Sequence, residues 1–128
     1  MGGDMRVLIL GDYTNVRFHP FRGVDDQLKE ILSHVGCEVV CTEDRDALLL
    51  ENLSGYEVYV SYTDAGERRL TAAQMAGLLQ FIASGGGFVA IHAGLFGENM
   101  EYRHLVGARF VEHPPRQALS IVISDPNH

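Results

Sequence analysis

Basic residues are scarce in this chain: 10 Lys and Arg stand against 17 Asp and Glu, a net charge of -7. That balance argues against a nucleic-acid groove or an anionic membrane surface as the main partner. Long apolar runs are missing too, and none approaches the ~20 residues that a membrane-spanning helix needs. The opening Met1-Gly2-Gly3-Asp4-Met5 has no basic flank and no apolar stretch, so it does not read as a signal peptide. Cysteine is nearly absent. On a strand, Cys37 and Cys41 would share one face, roughly 13 Å apart at ~3.3 Å per residue, beyond the ~7 Å between Cα atoms that a disulfide spans. No further thiol completes a metal set, so they read as free thiols, one or both beneath helices. Together with the missing leader they point to the cytoplasm. What is present suits one globular domain: 128 residues, 46% hydrophobic and 21% charged, with 14 glycines gathered at turns.

Short apolar runs alternate with helical patterns. Arg6-Val7-Leu8-Ile9-Leu10 reads as a buried parallel strand. Val24, Leu28, Ile31, Leu32 and Val35 then recur at helical spacing, and Gly36 stops the helix. Residues 37–41 give a second strand, 46–53 a short helix and 56–60 a third strand. Thr71 with Gln74 three positions on is the capping-box pattern. The helix it opens carries an apolar stripe of Met75, Leu78, Leu79 and Ile82. Gly85-Gly86-Gly87 closes that helix and leads into a fourth strand over 88–91. Because these glycines precede a strand, they do not form a phosphate loop, which follows one. Residues 98–106 suggest another short helix, and 118–123 a late strand, antiparallel or at an edge. The order predicts an α/β fold, a doubly wound, mainly parallel sheet. The chain stops just after that last strand with no closing helix, which suggests that residues 1–128 are the N-terminal part of a longer domain.

The candidate chemistry lies in the loops after strands, where open α/β sheets bind ligands. His92 directly follows the fourth strand, His19 lies in the loop after the first, and His113 is held in a rigid loop by Pro114 and Pro115. These are the candidate catalytic residues. Imidazole donates and accepts protons near neutral pH and also binds metals, so His19, His92, His113 and the terminal His128 are candidate ligands for a divalent metal such as zinc, although their spacing matches no local metal motif. His34 and His104 read as surface or structural. Secondary candidates are Asp12, Tyr13 and Asn15 in the first loop, Thr63 and Asp64 after the third strand, Arg22 at the first helix start, Glu98 and Glu101 near His92, and Gln117. Asp12 either orients a histidine or caps a turn.

Several segments together resemble the ThuA-like, or trehalose-utilisation, family. They are Val7-Leu8-Ile9-Leu10-Gly11, Phe18-His19-Pro20, Leu70-Thr71-Ala72-Ala73-Gln74, the run Gly85-Gly86-Gly87-Phe88-Val89-Ala90-Ile91-His92-Ala93, Leu105-Val106-Gly107-Ala108-Arg109-Phe110, His113-Pro114-Pro115 and Asp125-Pro126-Asn127-His128. The resemblance implies a flavodoxin-like fold of the class I glutamine amidotransferase type. In those enzymes a cysteine sits at the turn after the strand; His92 stands there instead, so thiol chemistry is not expected. The resemblance also implies a role in using disaccharides such as trehalose, or keto-sugars.

Three functions follow as expectations. One is processing of a small-molecule carbohydrate, with His92 as acid–base group or metal ligand. Another is a non-catalytic domain that senses a sugar in the same cleft. The third is a self-associating module, a homo-oligomer joined through an exposed aromatic set of Tyr13, Phe18, Phe21 and Tyr62.

Overall fold

The structure, a computed structural model, describes residues 5–14, 16–64 and 69–127. Among these residues four parallel strands form one sheet in the order β2-β1-β3-β4. They are β1 Met5–Leu10, β2 Cys37–Thr42, β3 Val58–Ser61 and β4 Gly87–Ala90. β1 is an unbroken apolar run because both its faces are covered. Val7 and Ile9 pack with Phe21, Val60 and Tyr62 beneath α1, Val24–His34. Leu8 and Leu10 face the other way, against Tyr59, Leu48, Leu53, Leu78 and Phe81. That second layer is built from a 3-10 turn at Arg45–Leu48 and the helices α2 Leu50–Leu53, α3 Ala72–Ala83 and α4 Met100–Val106. Layers on both sides of a parallel sheet make this an α/β fold of the flavodoxin-like kind. No helix among the described residues is long and apolar enough to cross a membrane.

Local chemistry sets the element ends. The Thr71 hydroxyl accepts from the Gln74 amide at 3.2 Å, and the Gln74 side chain accepts from the Thr71 amide at 3.0 Å, completing the expected capping box. Gly85 takes a φ of 100° as the chain leaves α3, so Gly85 and Gly86 stop the helix, while Gly87 already opens β4. Cys37 and Cys41 are both free, half-buried on the α1 side. Burial pushes the Cys41 thiol up to about 11.

Five expectations need correction. Residues 118–123 form no strand: Leu119, Ile121, Val122 and Ile123 are all exposed, Ile121 at 87%. A strand exists by pairing, and alternation of side chains cannot supply a neighbour. The aromatic set does not form an exposed contact surface. Phe21 and Tyr62 are buried and stack at 5.7 Å, while Tyr13 packs on Phe21, leaving only Phe18 of the four exposed. The stripe of α1 is narrower than its spacing implied, because Ile31 and Val35 face solvent. Leu79 of α3 is likewise exposed. The 46–53 helix is two shorter pieces, a 3-10 turn and α2.

Between β2 and β3, the chain leaves β1 in opposite directions. A doubly wound sheet opens a crevice at the carboxyl ends of its strands at such a point.

Candidate functional site

Three strand ends meet at this crevice. Just past β1, Asp12 is 8% exposed and clasps the loop after β3. Its carboxylate accepts from the Thr63 hydroxyl at 2.7 Å, the Asp64 amide at 3.0 Å and Arg45 Nη2 at 3.2 Å. Arg45 Nη2 also donates to the Thr63 hydroxyl at 2.9 Å. Asp12 therefore neither caps a turn nor touches a histidine; it fixes the residue that does. Asp64 presents its carboxylate to His19 Nδ1 at 3.3 Å. With Nδ1–H donating there, His19 keeps Nε2 for another partner. The loop carrying His19 is tied to β2 by Glu43, whose carboxylate accepts from the Tyr13 and Thr14 amides, both at 2.9 Å. On its other side the Tyr13 hydroxyl donates to Asp25 at 2.7 Å and holds that carboxyl below the usual carboxylate range.

His92 opens a 3-10 turn, His92–Leu95, directly after β4. Its φ of 49° lies in the left-handed region, a conformation a side-chain-bearing residue keeps only when its surroundings impose it. Here they do. The Ile91 amide donates to the Ser61 carbonyl at 2.9 Å, and the Gly94 amide to the Ile91 carbonyl at 2.8 Å. Gly94 lies so close to the Ser61 carbonyl that a Cβ there would collide with it. The buried Tyr102 hydroxyl donates to the Gly94 carbonyl at 2.6 Å and meets the Ser61 hydroxyl at 2.9 Å. Burial raises this phenol to about 12, so it remains a donor across the ordinary pH range. The result is an exposed imidazole on a clamped turn.

The His19 and His92 rings meet edge to face, with centroids 4.7 Å apart. Phe96 lies 5.3 Å from His19, and Tyr62 lies 6.1 Å from His92. Beside them opens a cleft of about 730 Å³, within the size range of small-molecule sites. Phe18, His19, Asp64 and His92 form its inner wall; Leu95, Phe96, Gly97, Glu98 and Arg103 form its floor; Arg109, Phe110 and His113 form the far rim. The rim is joined to the floor by the Phe96–Phe110 contact at 4.6 Å, and His113 lies 6.2 Å from Phe110.

Of the predicted residues, the structure thus brings His19, His92 and Asp64 together and sets His113 on the opposite rim of the same cleft. Thr63 and Asp12 support the pair from below. Glu98 lines the cleft but is engaged by Arg103 at 3.0 Å. Arg22, Glu101 and Gln117 are exposed and lie outside the lining, as do both cysteines. His34 and His104 are exposed on helices, as expected. Asn15 and His128 lie outside the described residues. Among the described residues no three His, Cys, Asp or Glu side chains are grouped to hold a metal ion. The sequence reading passed over Arg45, Phe96 and Tyr102, and quoted Arg109 and Phe110 only within a family-like segment. Arg109 and Phe110 come two and three residues after Gly107, which ends α4 with a φ of 73°.

Residues 6–128 match the family model described as ThuA: Trehalose utilisation. A solved structure, a putative ThuA-like protein from Bacteroides uniformis ATCC 8492, is similar with a TM-score of 0.57 and 19% identity. The match covers 80% of this chain and 41% of that one, so the chain spans well under half of that protein, and the likeness shows the fold alone. A search of curated proteins gives no match.

Proposed function

The chain belongs to the ThuA, or trehalose-utilisation, family, and on that premise we propose that it holds a small carbohydrate, a disaccharide or keto-sugar, in the cleft at the carboxyl edge of its sheet, where His19, His92 and His113 work on it. One observation carries this reading: two imidazoles from different strand ends meet at 4.7 Å over the cleft, one of them oriented by a carboxylate. Sugars pack their C–H faces on aromatic rings and exchange hydrogen bonds through their hydroxyls. The lining offers both kinds of group in Phe18, Phe96 and Phe110 and in the imidazoles.

The chemistry is general acid–base catalysis. Asp64 holds His19 Nδ1–H, so Nε2 of the neutral ring accepts a proton from a substrate hydroxyl. His92, clamped on its turn, is the partner that donates to or steadies the opposite oxygen. His113 faces the other end of the ligand. The thiols of Cys37 and Cys41 take no part, because both lie in β2 away from the lining. Being free rather than bridged, they support a cytoplasmic setting. A metal-assisted form of the reaction needs His128 to join the other three histidines, and elemental analysis of purified protein tests it.

The direct test is calorimetric titration with trehalose and with keto-sugars, followed by product analysis after long incubation. His92→Ala is expected to lower turnover at least ~100-fold, the scale of a lost acid–base group. Unchanged binding and turnover in that variant would remove His92 from the reading. Saturable binding with no product in the wild-type protein would make the domain a sugar sensor rather than an enzyme.

A further inference from the structure

We propose that the far rim of the cleft is an oxyanion subsite, and that the carbohydrate it takes carries a carboxylate or phosphate group. The inference rests on the carbohydrate reading above and adds the charge of the substrate. It starts from an accounting of the charged groups in the lining. Asp64 is engaged with His19 at 3.3 Å. Glu98 is engaged with Arg103 at 3.0 Å, and Arg103 Nε donates to the Gly97 carbonyl at 2.8 Å. Arg103 is therefore committed to the floor. Arg109 lines the cleft and, among the described residues, forms no ion pair with a carboxylate. Of the two arginines that line the cleft, Arg109 is the one with no carboxylate partner among the described residues.

The neighbours of Arg109 fit the same purpose. The rim is pinned by the Phe96–Phe110 ring contact at 4.6 Å, so the residue before Phe110 is held at the wall of the cleft. His113 Nδ1 lies 3.0 Å from the Pro114 carbonyl, which accepts its N–H. That leaves Nε2 free, and in the protonated ring both nitrogens donate. A guanidinium binds carboxylate and phosphate through a planar, two-pronged donor set. A ligand whose anion sits at Arg109 would lay its sugar ring over Phe96 and Phe110, toward His19 and His92.

The test compares glucose, trehalose, glucuronate, glucose 6-phosphate and inorganic phosphate by calorimetry at low and at physiological salt. Wild-type protein is expected to bind at least one of the two anionic sugars tenfold or more tightly than glucose, with that advantage shrinking as salt rises. Preference for glucuronate identifies a carboxylate substrate, and preference for glucose 6-phosphate a phosphorylated one. Arg109→Ala is expected to reduce the advantage of the anionic sugars over glucose to about twofold or less. Arg116→Ala, a change at an exposed arginine outside the lining, is expected to do nothing. Equal affinity for glucose and both anionic sugars would overturn the subsite and leave the carbohydrate reading standing. Arg109-dependent binding of inorganic phosphate without binding of any sugar would uphold the subsite and overturn the carbohydrate reading. No binding of any probe would overturn both.

Discussion

The two walls of the cleft are held in different ways. The inner wall comes from strand ends. His19 is steadied by Asp64, which is fixed through Thr63 and the buried Asp12–Arg45 pair, and His92 sits on a turn clamped by Gly94 and Tyr102. The far rim comes from a segment that is exposed from Gly107 through Asn127, attached to the floor by contact between two rings. The difference teaches where geometry is stored. Groups that must meet within an ångström are placed by buried hydrogen bonds. Groups that select the ligand sit on a strip whose changes cost the fold little.

The comparison is broken most severely at Asp12. Asp12→Ala leaves Arg45 buried without its carboxylate and frees the loop after β3. It is expected to cost about 3–5 kcal/mol in denaturant unfolding. A loss below about 1 kcal/mol would mean that the clasp does not hold the inner wall. Tyr102→Phe is the next largest. It deprives the Gly94 carbonyl and the Ser61 hydroxyl of a buried partner, for an expected loss of about 1–3 kcal/mol, and loosens the turn that sets His92. Phe110→Ala, on the rim, is expected to cost under about 1.5 kcal/mol, the scale of an aromatic pair, while weakening ligand binding several-fold. A rim variant that unfolds the protein as readily as Asp12→Ala would erase the distinction between the walls.

The smallest expected effect is alkaline. The folded Cys41 thiol titrates at about 11 because burial disfavours its thiolate, against 9.0 for an unburied thiol. The folded state therefore keeps a proton that the unfolded chain releases. Its contribution is complete below pH 9 and is lost as pH rises to about 11. Unfolding curves at pH 8 and pH 10.5 are expected to show that loss, and Cys41→Ala to reduce it. A Cys41→Ala protein with the same alkaline loss would assign it to the buried phenols, which burial also raises.

Features with a local cause were readable from the sequence. The Thr71–Gln74 capping box, the glycine stop before β4 and the apolar run of β1 each need only neighbouring residues, and each formed as read. The run ending in His92 also located the crevice, since strand ends in an alternating fold converge on one edge. Features set by distant partners were not readable. Residues 118–123 alternate like a strand but pair with nothing among the described residues. Phe21 and Tyr62 lie in loops without periodicity, so nothing in their spacing announced that they stack inside the core. Asp12 looked like a turn residue because Arg45 and Thr63, its partners, are far along the chain. The far rim was legible only in part: His113 stood out beside its two prolines, whereas Arg109 and Phe110 lie in a loop whose place at the cleft depends on the distant Phe96.

The central claim is that His19 and His92 form one pair, with Asp64 fixing the first ring. Long-range proton–nitrogen NMR of the imidazoles reads it directly. The account predicts that neutral His19 carries its proton on Nδ1, that Asp64→Asn disturbs that preference, and that ring protons of His19 and His92 show a mutual cross-relaxation peak. A His19 ring protonated on Nε2, with no cross-peak to His92, would contradict it.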